Sequence, residues 1–212
     1  RFPVVLGLTA TLALDRLAHD ALPSTWVLYT TYRFNWDTFH VGVSLAIVGV
    51  VFAVVQGGLV GRIVGYWGER RSLIIGLCVT SLTYLLYGIA TQGWMMYAII
   101  ACSGLGGIAG PSLQAIITKR IPATEQGAVQ GALSSLGAVM AILGPLLATN
   151  LFGYFTSDDA PVHIPGAAFI ASAILVALGV VAAARATRSG LHYDAETSVA
   201  AVQPEAATES SD

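Results

Sequence analysis

Long uncharged runs, rather than short alternations of polar and apolar residues, set the pattern of this chain. Residues 39–61, 72–90, 93–118, 126–157 and 164–184 contain no Asp, Glu, Lys or Arg. Each is at least as long as the roughly 18 to 20 apolar residues a helix needs to cross a bilayer, so the pattern predicts five membrane-spanning helices. The opening run, Phe2 to Tyr32, is long enough for a sixth. That span must accommodate Asp15, Arg16, His19 and Asp20, and Pro23 is expected to kink or break it. The expected fold is all-α, a six-transmembrane-helix bundle over residues 1–186.

Composition agrees with the pattern: 55% of residues are hydrophobic and 10% are charged, against about 25% charged in a soluble domain. The placement of Lys and Arg then orients the helices, because cytoplasmic loops are enriched in these residues. Arg1, Arg62, Arg70, Arg71, Lys119, Arg120, Arg185 and Arg188 fall on one side of a six-span arrangement, and Arg33 alone falls on the other. Both ends of the chain are therefore expected in the cytoplasm. Opening on Arg rather than Met, the chain reads as a fragment. Residues 187–212 hold five acids and little apolar content, and are expected to form a disordered cytoplasmic tail. The net charge of -2 gives no indication of a nucleic-acid partner. Cys78 and Cys102 lie inside spans, and no CxxC, HExxH, Walker or GxSxG pattern occurs. Neither an enzyme nor a metal or other cofactor is signalled.

Candidate chemistry concentrates in the first span. On a helix, Asp15 and His19 are i,i+4 neighbours, as are Arg16 and Asp20, which predicts two pairs on adjoining faces. A lone charge in the hydrocarbon costs at least about 2.5 to 3.5 kcal/mol on insertion scales, so the four should face a bundle interior or a watery cavity. An ion-pair staple between helices would satisfy that cost. A proton-coupling site would too, and it explains the histidine, whose ordinary pKa is close to physiological pH. Gln56 and Gln114 are polar residues deep in spans, each suited to a ligand or to a neighbouring helix. Trp26 and Tyr29 read as interfacial anchors, with Trp26 also a candidate for lining a drug site. Gly106 with Gly110 and Gly127 with Gly131 have GxxxG spacing, which suits close helix contacts, whether static or sliding. The Gly110-Pro111 and Gly144-Pro145 pairs are expected to introduce bends.

The loop GRIVGYWGERR resembles the short signature between paired spans of major facilitator transporters, matched at Gly61, Gly68, Arg70 and Arg71. Gly65 stands where that signature has Asp. Longer stretches, LPSTWVLYTTYRFNWD, VVQGGLVGRIVGYWGERR, GLGGIAGPSLQAIITK and QGAVQGALSSLGAVMAILGPLL, resemble the tetracycline-resistance efflux branch of that superfamily in the same order. The resemblance runs to about residue 186 and corresponds to spans seven to twelve of a twelve-span protein. It implies half of a major facilitator fold, an absent amino-terminal six-span half as partner, a bacterial inner membrane, and export of a drug in exchange for protons. It also implies Gln56 as a drug contact, and Arg62 and Arg70 in a conformational loop. One departure stands out. Where the branch carries an acid in the ninth span, this chain has Thr80. Proton coupling then rests on Asp15, His19 and Asp20, or lies in the other half. The alternatives are a symporter or uniporter of another metabolite on the same scaffold and, more remotely, a non-transporting membrane sensor.

Overall fold

The computed structural model describes the backbone of residues 2–208 and the side chains of residues 6–188. Six long helices make up the described chain: α1 (Phe2–Phe34), α2 (Thr38–Trp67), α3 (Glu69–Ile89), α4 (Gly93–Lys119), α5 (Gln126–Thr156) and α6 (Ala167–Thr208). No strand occurs among the described residues. Helices α2 to α6 each contain a stretch long and apolar enough to cross a membrane, that of α6 being Ala167–Arg188. The 33 residues of α1 reach about 50 Å at about 1.5 Å per residue, well beyond the roughly 30 Å hydrocarbon core. The tail expected from residue 187 falls on side chains that, from residue 189, lie outside the described residues, as does the backbone from residue 209.

Helix α1 does not break at Pro23. It runs unbroken from Phe2 to Phe34 with the proline inside. Because proline lacks an N–H, the carbonyl of His19 loses its usual helical partner four residues on. Just beyond, the Ser24 and Thr25 hydroxyls both donate to the Ala21 carbonyl, at 2.8 and 2.9 Å. Helix α5 likewise runs through Pro145.

The packing order is set by where small residues meet. Helix α1 lies against α5 and α6, α6 also lies against α3, and α4 bridges α3 and α2. Between α1 and α5 the contact point is Gly144, where a Cβ would sit 2.9 Å from the Leu17 carbonyl oxygen and 3.2 Å from Asp20 Cβ. Lipid tails are as apolar as leucine, so such close packing and interhelical hydrogen bonds hold the bundle together. Outward-facing Val50, Phe52, Val54, Leu82 and Ile142 are exposed, which suits a lipid surroundings.

Trp26 and Tyr29 are not interfacial anchors. Trp26 is 3% exposed and Tyr29 fully buried, in an aromatic cluster where Trp26 meets Tyr87 at 5.2 Å and Tyr29 meets Phe169 at 4.8 Å between ring centroids. Their polar atoms are spent inside the bundle. The Trp26 indole donates to Ser44 Oγ at 3.0 Å, and the Tyr29 hydroxyl to the Tyr87 carbonyl at 2.7 Å. Their place near a span end suggested the interface, but the facing of α1, which uncharged runs leave open, turned them to α2, α3 and α6.

Candidate functional site

The charged quartet occupies the middle of α1. Asp15 and Asp20 are half-buried, and Arg16 and His19 are exposed on the bundle surface. The expected i,i+4 ion pairs do not close: among the described residues the salt bridges are His40–Asp37 and Lys119–Glu69, both outside the quartet. The four side chains sit close enough to influence one another electrostatically yet remain separate. Asp20 lies against Gly144 of α5, and His19 makes a hydrogen-bond contact with α3, its Nδ1 lying 3.4 Å from the Tyr84 hydroxyl.

Gln56 lies in a second site, where two helices leave α geometry opposite each other. Residues Val55–Leu59 of α2 form a π-helical turn, and Gly104–Ile108 of α4 form a 3-10 turn. Such interruptions expose carbonyls that a regular helix would satisfy, and they recur at functional sites. Gln56 Nε2 donates to the Gly107 carbonyl across the gap at 3.2 Å. The helices can approach here because glycine lines the contact: a Cβ on Gly106 would collide with Thr80 Oγ1, and one on Gly104 with Val51 and Val55. Thr80 Oγ1 itself donates to the Gly76 carbonyl at 3.0 Å.

The remaining candidates divide. Gln114 is exposed and Pro111 lies on the exposed side of α4. Trp26 belongs to the aromatic core described above. Gly106 is packed, whereas Gly110, Gly127 and Gly131 meet nothing within 4 Å, so neither GxxxG pair is a two-glycine contact inside this chain. At the loop, Gly68 takes φ 77°, a left-handed conformation glycine adopts freely, and turns α2 into α3. Arg62 and Arg71 are exposed and Gly61 is open to its surroundings. Arg70 Nε donates to Thr187 Oγ1 at 3.0 Å, and that hydroxyl donates in turn to the Ala183 carbonyl at 2.8 Å. Glu69 pairs with Lys119 at 2.7 Å, tying the α2–α3 turn to the end of α4.

At the opposite end, Asp37 caps α2 by accepting the His40 backbone N–H at 2.9 Å, and its carboxylate also meets His40 Nδ1 at 2.6 Å. These bonds, the backbone one first, hold the Asp37 carboxyl below its usual range. Among the described residues no three His, Cys, Asp or Glu side chains gather as a metal site.

Sequence reasoning missed Tyr84, Gly107, Glu69 and Lys119. The glycine doublets Gly57-Gly58 and Gly106-Gly107 were the available signal for the paired interruptions; nothing along the chain pairs Tyr84 with His19, which are 65 residues apart.

The profile of the Major Facilitator Superfamily matches residues 8–204. This chain belongs to the Major Facilitator Superfamily. As a member of the superfamily it is a multi-pass membrane protein, and its six helices form one half of a major facilitator fold. It is 39% identical over 127 residues to the class G tetracycline resistance protein of Vibrio anguillarum, covering 60% of this chain and 32% of that protein. With the class B tetracycline resistance protein of Escherichia coli the identity is 33% over 159 residues, 74% of this chain and 40% of the relative. A mouse protein named hippocampus abundant transcript-like protein 1 is 26% identical over 186 residues, 81% of this chain and 37% of its own length. The matches thus span between a third and two fifths of each curated relative.

Proposed function

We propose that this chain is the carboxy-terminal half of a transporter, not an enzyme, that exports tetracycline or a related drug in exchange for protons. The observation that carries the reading is an unpaired set of ionisable side chains, Asp15, Arg16, His19 and Asp20, at mid-helix in a membrane-spanning chain whose relatives are named for tetracycline resistance. Such groups are costly in hydrocarbon and mark ion or substrate pathways.

The mechanism follows from that placement. Protons arriving from outside neutralise Asp15 or Asp20 and change the field felt by Arg16 and His19, which biases the balance between outward-open and inward-open forms. Gln56 contacts the drug from α2, with Gln114 a second polar group on α4. A shift of this kind requires that proton and drug bind the two forms unequally. One proton moving inward across about 100 mV supplies roughly 2.3 kcal/mol. The partners are the drug, protons, the lipid bilayer and an amino-terminal six-span half. The location is a bacterial inner membrane with both ends cytoplasmic, residues 1–186 forming the bundle and 187–212 a tail.

The test is tetracycline accumulation in cells stripped of their own pumps and expressing the full-length protein, with and without an uncoupler. Lower accumulation that the uncoupler reverses is the expected outcome; unchanged accumulation, with the protein in the membrane, would overturn the drug assignment. A second reading, another solute on the same scaffold, draws on Thr80 in place of an acid and on similarity to a mouse protein whose name mentions no drug.

A further inference from the structure

The quartet reaches a second helix through a single side-chain hydrogen bond among the described residues. Among the described residues, the only hydrogen-bond contact its side chains make beyond α1 is His19 Nδ1 to the Tyr84 hydroxyl, at 3.4 Å. Tyr84 is 4% exposed, and this histidine is the one hydrogen-bond partner its hydroxyl has among the described residues. Buried phenols require a partner. An imidazole serves in either protonation state: when neutral, Nδ1 accepts the phenol O–H, and when the ring is protonated, Nδ1–H donates to the phenol oxygen. With Nδ1 turned to α3, Nε2 is the nitrogen left for the exposed side of α1.

We propose that Tyr84 is a positioning residue for proton exchange at His19, holding the neutral ring in its Nε2–H form and turning from donor to acceptor when the ring takes up a proton. The proposal rests on the quartet's role in proton coupling. The proton enters and leaves on the imidazole, and the phenol keeps its own proton throughout, merely rotating its O–H. The other ionisable groups around His19 are Asp15, Arg16 and Asp20 on its own helix and Tyr87 beside Tyr84 on α3. Residues 93–118, 126–157 and 164–184 of α4, α5 and α6 carry no Asp, Glu, Lys, Arg or His. His19 and Tyr84 are therefore the imidazole and phenol that meet across α1 and α3.

The experiment follows imidazole nitrogen-15 shifts in the full-length protein, with the His19 signals assigned by their loss in His19→Gln. Wild type is expected to show one neutral form, protonated at Nε2. Tyr84→Phe keeps the ring packing and removes the hydroxyl; it should give a mixture of the two neutral forms, because the bond that favours Nε2–H is lost. Mixed forms already in wild type, or an unchanged neutral form in Tyr84→Phe, would overturn the proposal. Proton-driven tetracycline transport, measured in parallel, separates the two ideas. If Asp15→Asn and His19→Gln leave it intact, the coupling role fails whatever the spectra show; if they abolish it while Tyr84→Phe keeps the wild-type pH profile, the coupling role survives and the positioning role fails.

Discussion

Thr80 shows how much a single position depends on what faces it. Along the chain it is a polar residue in an apolar run, notable only for standing where the family resemblance implies an acid. In the bundle its hydroxyl donates to Gly76 and rests directly on Gly106, so that α3 and α4 meet with no space for another methyl group. Gly106→Ala is expected to destabilise the protein by about 1 to 3 kcal/mol through overpacking, and Thr80→Ala in the same chain should recover much of the loss. Thermal unfolding in detergent measures both; additive effects of the two changes would mean they do not share the contact. Gln56 carries the same lesson. Its type and depth were legible in the sequence, but its partner is the Gly107 carbonyl, a backbone group that every residue possesses and no side chain advertises.

At the scale of elements, the spans themselves were plain, because 18 or more uncharged residues in a row have few physical alternatives to a membrane helix. Their interruptions were not. Prolines suggested a kink or break at Pro23 and bends at Pro111 and Pro145, and the helices run on through all three, while the departures from α geometry, the π turn of α2 and the 3-10 turn of α4, occur at glycine doublets and depend on two helices facing each other. Helix starts were not read along the chain, although Asp37, before an apolar run, is of a recognised N-cap type. Its bond to the His40 N–H holds the carboxyl below its ordinary range, so it contributes to helix stability above the unfolded value near about 3.9 and loses that contribution as pH falls through the lowered folded value. Hydrogen exchange at the His40 amide should accordingly be protected at neutral pH and lose protection in strong acid. Asp37→Ala is expected to remove the protection at every pH; an amide indifferent to that substitution would mean the cap is not formed in the membrane.

For the molecule as a whole, attachment is uneven. Helix α5 is held by α1 and more lightly by α6; in its first half Leu133 reaches the core, while Gly127 and Gly131 face open space. The same side of the problem appears on α1, where Arg16 and His19 are exposed. The chain produced alone is expected to melt several degrees below the same chain produced with the amino-terminal half proposed above, an effect a melting curve in lipid nanodiscs would register; equal melting temperatures would mean these faces need no cover. What the sequence by itself determined was the class of solvent, the number of long helices, the resemblance to a transporter family and the identity of the costly charges, because each follows from local composition and the energetics of burying polar groups in lipid. Only the tertiary structure decided which helix each side chain faces: Trp26 inward on Ser44 rather than at the interface, His19 on Tyr84 rather than on Asp15, Gly106 under Thr80. Helices of uniform apolarity carry no preferred side, so their facing is settled by close packing and a few interhelical hydrogen bonds between residues far apart in the chain.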